Sequence, residues 1–393
     1  MKKSLYLCLH FLLISSSMAA GLKLTTYNVG LAKGFVEYSQ LRLPLLKKAI
    51  AESDSDILCL QELWSKSDRK KMTRALKKSF PYSYQVESKM VKTTSAPACK
   101  TGDLFGEVSG EKRLLTCMQD LCSDKKDSSK NDCILQKCDP AFKYLAASRP
   151  ECLKSVYAQV SLPLIQQLYN LLGPFQRPSI FSYRGGNGLA IYSKHPITKT
   201  ASVDLKDISS TVRRVGLYAQ VKVDGVDRHI VCAHLQANLA STMTYAGDLA
   251  GFKQESLAQA KEILKFMDQS VGKKSGQRYL LGDFNCSFEN KTAKVKDDFV
   301  EICNLIKADG YDDFVSSYNP ETIKSGCSFC SRNTLTSRTH KNILIDHIFT
   351  KGVATKTPPL VTIDFDNEVT VKVKGKNIKT NLSDHFGVSL KTN

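Results

Sequence analysis

One large α/β domain is the fold the sequence predicts, and three observations predict it. Short runs that alternate apolar and polar residues at period two are interleaved with stretches whose apolar residues recur at helical spacing. No repeat, low-complexity tract or linker divides the 393 residues into independent units. The alternation breaks once, over roughly residues 93–160, where six cysteines gather in short polar stretches. That break reads as an insertion stapled by bridges.

Taken in chain order, "LKLTTYNVG" is a strand followed by a loop. "LRLPLLKKAIAES" is amphipathic and helical, "DILCLQEL" is a buried strand, and "DRKKMTRALKKSF" is a second helix. Beyond the Cys-rich segment, "SLPLIQQLYNLLG" aligns Leu164, Leu168 and Leu171 on one helical face, ended by Gly173 and Pro174. Its polar face lacks the lysines of a membrane-surface helix, so it is expected to pack into the core. "GNGLAIYSK", "VGLYAQVKV" and "RHIVCAHLQ" are strands, the last two joined by a hairpin turn at "VDGVDR". A long helix over "AGFKQESLAQAKEILKFMD", a strand "RYLLGDFN", a helix near "KVKDDFVEICNLI" and a strand "NILIDHIFT" follow. "LVTIDF", "VTVKV" and a closing "FGVSLK" complete the strands.

Residues 1–20 stand outside this fold. Lys2 and Lys3 precede the apolar run "LYLCLHFLLI" and the small residues "SSSMAA", the pattern of a secretory signal cleaved after Ala19 or Ala20. The expected protein is therefore secreted or periplasmic. Of 13 cysteines, Cys8 lies in the signal. Cys99, Cys117, Cys122, Cys133, Cys138 and Cys152 are expected to pair among themselves, in a connectivity that spacing does not choose. Cys59 and Cys232 lie in apolar strand-like runs and are expected to be buried thiols. Cys286, Cys303, Cys327 and Cys330 are expected to form disulfides, because no second CxxC or nearby histidine completes a zinc site. The formal net charge of +18 suits anionic partners, whether phosphate groups, nucleic acid or acidic lipid surfaces.

Polar residues punctuate the apolar runs at recurring places. Asn28 follows "TTY", Glu62 follows "LCLQ", His234 follows "IVCA", Asp283 and Asn285 lie in "LLGDFN", and Asp346 and His347 lie in "ILIDHIF". Asp384 and His385 sit in a turn entering the last strand. Such placements suggest one rim where strand ends converge on a cleft. The residue types suit phosphodiester hydrolysis: carboxylate oxygens for a hard cation such as magnesium, and histidines for proton transfer. There is no G-x-S-x-G elbow and no Gly-rich phosphate loop, so serine hydrolase and nucleotide-binding readings lack their signatures.

Asn in the first strand, "QE" in the next, "GDFN", "IDH" and a terminal "SDH" together resemble the endonuclease/exonuclease/phosphatase superfamily. "LQELWSKSD", "GNGLAIYSKHPIT" and "AHLQA" are most similar to its neutral sphingomyelinases. The resemblance covers most of the mature chain outside the insertion. It implies a four-layer αββα sandwich with two mixed β-sheets (DNase I-like), residues 21–393 forming that domain around 93–160. It also implies a monomer that binds Mg²⁺, Mn²⁺ or another divalent cation. Carried over by motif, Glu62, Asp384 and Asn28 hold or orient the metal. Asp283 would position the attacking water or a metal, Asn285 would donate to a phosphate oxygen, Asp346 would orient His385 as general base, and His234 would stabilise the transition state or help protonate the leaving group. His195, in "SKHPI", receives no catalytic role, and His347 is expected to point away from the cleft as Asp346's neighbour along a strand.

In places the sequence departs from the family. "NVG" stands where many sphingomyelinases carry an aromatic after the Asn, and no exposed aromatic hairpin is evident. Arg213 and Arg214 stand where relatives use a lysine paired with an acid, with Asp207 as candidate partner, although a solvated basic strand end is an equal reading. The activity implied is a Mg²⁺-dependent phosphodiesterase of phospholipase C type, with a phospholipid or membrane surface as substrate. A nuclease on the same fold, with nucleic acid as partner, is the alternative. A binding module with a relict site is the third reading.

Overall fold

In a computed structural model of the protein, the described residues are 21–125, 127–160, 162–272, 276–317, 326–336, 339, 341–353 and 357–392. The secretory signal expected over residues 1–20 lies outside them. Four strands open the fold: β1 (Lys23–Asn28), β2 (Ile57–Gln61), β3 (Tyr82–Tyr84) and β4 (Ala190–Ser193). The next six build a second sheet: β5 (Ile197–Asp204), β6 (Val215–Val223), β7 (Val226–His234), β8 (Gln277–Asp283), β9 (Asp312–Asp313) and β10 (Asp346–Lys351). The chain then returns to the first sheet with β11 (Leu360–Asp364) and β12 (Gly387–Lys391). The strand orders are β11-β12-β1-β2-β4-β3 and β9-β10-β8-β7-β6-β5.

Both sheets are mixed. β1 runs parallel to β2 and antiparallel to β12. β8 runs parallel to β7 and antiparallel to β10. The residues alternate as period-two strands must. In β8, Tyr279 and Leu281 face the layer between the sheets while Leu280 faces outward. Leu24, Ile57, Ile191, Leu217, Ile230, Ile348 and Leu390 fill that inner layer. The outer face of the first sheet is covered by α1 (Ser39–Ala51) and α2 (Lys66–Leu76), through Leu43, Leu46, Ile50, Met72 and Leu76. On the other side, Ile263, Met267, Ile302 and Ile306 from the helices Phe252–Val271 and Val300–Ala308 cover the second sheet. The result is the expected four-layer sandwich.

The hairpin between β6 and β7 turns on Asp224 and Gly225, at φ 48° and 79°. Two adjacent positive φ values are what a two-residue hairpin matching the strand twist requires, hence the Asp-Gly pair.

The insertion has its own small core. Leu104, Leu114, Phe142, Leu145, Leu153 and Tyr157 pack around the bridges Cys99–Cys152, Cys117–Cys138 and Cys122–Cys133, so its six cysteines do pair internally. Cys286–Cys303 and Cys327–Cys330 are also bridged, as expected. Cys59 and Cys232 correct the sequence reading. They form a disulfide, with Cα atoms 5.5 Å apart, joining β2 of one sheet to β7 of the other through the inner layer. Apolar flanks showed that both residues are buried. That they face each other follows only from how the sheets stack.

A second correction concerns the helix Leu164–Leu172. Of its residues only Leu171 is buried, joining the insertion core, while Leu164, Ile165 and Tyr169 are exposed, as is nearby Phe175. The apolar face read from spacing is real, but the body of the sandwich does not cover it. No helix among the described residues is long and apolar enough to cross a membrane.

Candidate active site

The site forms where the two sheets present strand ends to one edge. β1 and β2 end at Asn28 and Gln61, which are register partners, and Glu62 follows. β7 and β8 end at His234 and Asp283, again register partners. β10 is antiparallel, so it begins at this edge: its first residue, Asp346, pairs with Asp283. The rim is therefore built from ends of parallel strands and beginnings of antiparallel ones, a refinement of the expected convergence of strand ends. Backbone pairing continues from Asp346 to His347 and Ile348, and the expected strand "NILIDHIFT" is interrupted. Asn342 and Ile343 pair instead with Phe329 and Cys330.

Asp283 is the hub. Its Oδ2 accepts from Asn28 Nδ2 at 3.0 Å, and its Oδ1 accepts from the Asn285 backbone N–H at 3.0 Å. The same Oδ2 lies 3.5 Å from His234 Nε2 and 3.9 Å from His385 Nε2. His385 Nδ1 lies 2.8 Å from Asp346 Oδ2. Asn28 Oδ1 is occupied by the Gly30 N–H at 3.1 Å, so Asn28 orients Asp283 within the cluster. Asn285 Nδ2 donates to the Leu235 carbonyl at 3.1 Å, using one of its two amide hydrogens. Glu62, Arg214, His234, Asp283, Asn285, Asp384 and His385 all line one cavity of about 660 Å³.

Local backbone geometry sets these side chains. Glu62 and Asn285 hold φ values of 59° and 49°, which costs energy for residues with a Cβ and is common at functional sites. Gly30, at φ 54°, accounts for the glycine of "NVG": a Cβ there would fall 2.2 Å from Asp384 Oδ1. Arg42 is buried and donates to the carbonyls of Gly30, Glu37 and Leu382, clamping the loop after β1 to the loop carrying Asp384. Asn333 Nδ2 holds the Ser383 carbonyl at 2.8 Å from the other side.

Charge crowding is severe. Burial, then the nearby Asp384, push the Glu62 carboxyl up to about 7. Burial and Asp346 push Asp283 to about 7 against the opposing pull of His385. Burial would lower His385, but Asp346, Asp283 and Asp384 lift it to about 10. Burial, Arg214 and His385 hold His234 well below the ordinary histidine value. Burial lowers the Arg214 guanidinium to about 10 despite Asp283 and Glu62. Four carboxylates in so small a space favour a cation.

The positioning expected from sequence holds for most of the set, and Asp207 is the exception. Arg213 pairs with Asp204, its Nη2 2.9 Å from Oδ2, whereas Asp207 is matched with Lys206. Arg214 is buried, so the solvated-strand-end reading is overturned for it, and its Nε and Nη1 have no hydrogen-bond partner among the described residues. His347 faces the outer layer, beside Asp313 and the Cys286 carbonyl, away from the cleft. His195 is engaged through its backbone with Ser193, in a turn.

Sequence reading missed Trp64 and Tyr183, which stack at 5.1 Å and line the cavity, with Trp64 also 5.9 Å from His234. The signal was in "GNG". A Cβ on Gly188 would meet the Trp64 ring at 2.8 Å, and one on Gly186 would meet its carbonyl at 2.6 Å.

A sequence profile of the endonuclease/exonuclease/phosphatase family matches residues 25–385, from the first strand to the terminal histidine. The chain belongs to that family. Among solved structures with a similar fold, sphingomyelinase C from Streptomyces griseocarneus is 18% identical with a TM-score of 0.54, over 95% of this chain and 99% of that one. A beta toxin from Staphylococcus aureus with bound magnesium ions is 15% identical with a TM-score of 0.54, over 95% of this chain and 100% of that one. At such identities the likeness establishes the fold. No curated protein matches the sequence. As a member of the endonuclease/exonuclease/phosphatase family, the chain is a hydrolase, and the cluster around Asp283 lies at the edge where both sheets deliver their polar ends.

The residues fit a divalent metal. Glu62 Oε2 is buried without a hydrogen-bond partner among the described residues, and Glu62 lines the same cavity as Asp384. All-oxygen donors of this kind suit a hard cation. The second His/Cys cluster, Cys286, Cys303 and His347, does not fit one, because its two sulfurs are spent in a disulfide.

Proposed function

We propose that the chain is an exported, divalent-metal-dependent phosphodiesterase of phospholipase C type. It hydrolyses sphingomyelin or a related phospholipid into a phosphorylated headgroup and a lipid alcohol, as a monomer acting at a phospholipid surface. The observation that carries this reading is the gathering of Glu62, Asp283, Asp346, Asp384, His234 and His385 at one sheet edge, five of them lining the same cavity.

Glu62 and Asp384 would hold the cation, Mg²⁺ being the expected one, with Asn28 orienting Asp283 beside it. When bound, such a cation neutralises a phosphoryl oxygen and opposes the proton on the neighbouring imidazole. The chain's own residues do the rest. Asp346 fixes His385 at Nδ1 and turns Nε2 into the cluster, 3.5 Å from Asn28 Nδ2, where the imidazole in its neutral form would take a proton from water attacking phosphorus. Asp283 aligns that water from the hub. Asn285 retains an amide hydrogen for a phosphoryl oxygen. His234, held neutral, and Arg214, with unpartnered nitrogens, stabilise charge building on the equatorial and leaving oxygens.

The choice of lipid is supported by the sphingomyelinase-like runs "LQELWSKSD", "SKHPI" and "HLQA", and by neighbours that include a sphingomyelinase C. The nuclease reading is favoured by the +18 charge. Purified protein with Mg²⁺, offered sphingomyelin vesicles, phosphatidylcholine vesicles and plasmid DNA, separates the two. Phosphocholine release that EDTA stops supports the lipid reading. Plasmid nicking without phosphocholine release overturns it.

A further inference from the structure

The active-site cavity does not end at the catalytic residues. It continues under the Cys-stapled insertion, where Leu114, Met118, Ile134, Leu135, Phe142 and Val160 form its wall. We propose that this wall seats one alkyl chain of an amphiphilic phosphodiester whose phosphate lies at Asp283 and His385. The inference rests on the phosphodiesterase reading above and deepens it by assigning the insertion a substrate-binding role.

Charge distribution is the first argument. The segment 93–160 carries ten Lys+Arg and nine Asp+Glu, yet among the described residues none of these lines the cavity. Among the described residues, the charges of the insertion stay off this one face. A wall meant for a phosphate polymer would carry lysines and arginines along the strand's path, and among the described residues the lining offers Arg214 and Lys341, both outside the insertion. Exposure is the second. Met118, Ile134 and Leu135 pack against the insertion core yet, like Val160, stay only half-buried, so part of their apolar surface faces the cavity. Such surface costs about 25 cal/mol per Å² when it faces water, and a hydrocarbon occupant removes that cost.

The wall is also preformed. Three disulfides fix the insertion internally. Tyr157 Oη donates to the Thr244 carbonyl at 2.9 Å, Lys154 pairs with Asp248 at 2.9 Å, and Asn131 donates to the Gly34 carbonyl. These ties hold it across the cleft, against the loops that follow β1 and β7. A rigid chamber lowers the ordering cost of binding a flexible chain. A volume near 660 Å³ lies in the range of small-ligand pockets, which suits a headgroup plus a single chain.

The molecule contains one tryptophan, Trp64, and it lines this cavity. Its emission therefore reports occupancy without any turnover. The test titrates full-length mature protein, metal chelated, with butyl-, octyl- and dodecylphosphocholine below their micelle concentrations. Affinity should rise at least tenfold from butyl to dodecyl, and Ile134→Phe or Val160→Phe should erase most of that gain. Both positions are half-buried and line the cavity, so folding is expected to survive, and far-UV circular dichroism checks it. The chain-length series on the wild-type protein stands even if both variants misfold. Equal affinity for all three chains, or an unchanged gain in two folded variants, overturns the chamber. Parallel hydrolysis of 4-nitrophenyl phosphocholine with Mg²⁺ separates the two ideas. Cleavage without chain dependence sinks the chamber alone, and chain-dependent binding without cleavage of any phosphodiester sinks the enzymatic reading alone.

Discussion

His385 Nδ1 lies 2.8 Å from Asp346 Oδ2, although the two residues are 39 positions apart, one opening β10 of the second sheet and the other in the turn before β12 of the first. The contact fixes which imidazole nitrogen faces the cavity. Replacing His385 by Ala should lower kcat by about 10²–10⁴-fold, the usual contribution of one positioned acid–base group. Asp346→Asn should reduce kcat with little change in KM, since the carboxylate touches the histidine and not the substrate. Steady-state phosphocholine release over a range of substrate concentrations checks both.

His347 provides the contrast. It is fully buried, its Nε2–H donates to the Cys286 carbonyl at 2.8 Å, and its Nδ1 faces Asp313 at 3.4 Å. His347→Ala should leave activity per folded molecule within a few-fold of wild type while costing about 3–5 kcal/mol of stability, by stranding the Asp313 charge. The pair also has a pH signature. Burial alone would lower His347, but Asp313 raises it above its ordinary value of about 6.5, so its share of stability is present below that pH and fades as pH rises through the raised value. Asp313 is held below its ordinary value of about 3.9, its pairing with His347 outweighing burial, so its share fades as pH falls through the lowered value. Urea midpoints of wild type and variant should therefore differ most between about pH 4 and 6.5.

Metal affinity should climb with pH. Glu62 and Asp283, pushed up to about 7, must lose their protons to face a cation, so protons compete with it below that value. Calorimetric titration with Mg²⁺ or Mn²⁺ should show apparent affinity rising from pH 6 to 8 and flattening above. Glu62→Gln should weaken binding at every pH. A pH-independent affinity would mean that these carboxyls are not at the metal.

The bridge between Cys59 and Cys232 closes 173 residues and ties the sheets together through their inner layer. Replacing both cysteines by Ala should lower stability by about 2–5 kcal/mol. Denaturant titration measures the loss. A thiol assay on the unreduced, unfolded wild-type protein should find no free thiol among the mature cysteines.

Much of the site was legible because its residues interrupt apolar strand-like runs. Asn28, Glu62, His234 and Asp283 each follow a buried run, and polar residues at the close of such runs are a local signal. Asp346 was legible for its identity but not its polarity of placement: antiparallel pairing with β8 makes it a strand's first residue. The Cys59–Cys232 bridge was hidden because sheet stacking brings the two residues together, a relation no local pattern encodes. The exposed helix Leu164–Leu172 was misread for the complementary reason: spacing shows an apolar face but not what lies opposite. Arg42, Trp64 and Arg214 depended on loop conformations set by left-handed residues such as Gly30 and Gly188.

Phosphocholine release from sphingomyelin vesicles, followed through EDTA treatment and Mg²⁺ re-addition with wild type beside Glu62→Gln, tests the central claim most directly. The account predicts that wild-type release stops with chelation and returns with Mg²⁺, while folded Glu62→Gln stays strongly impaired at matched Mg²⁺. Release that continues in EDTA, or that Glu62→Gln supports at the wild-type rate, would contradict it.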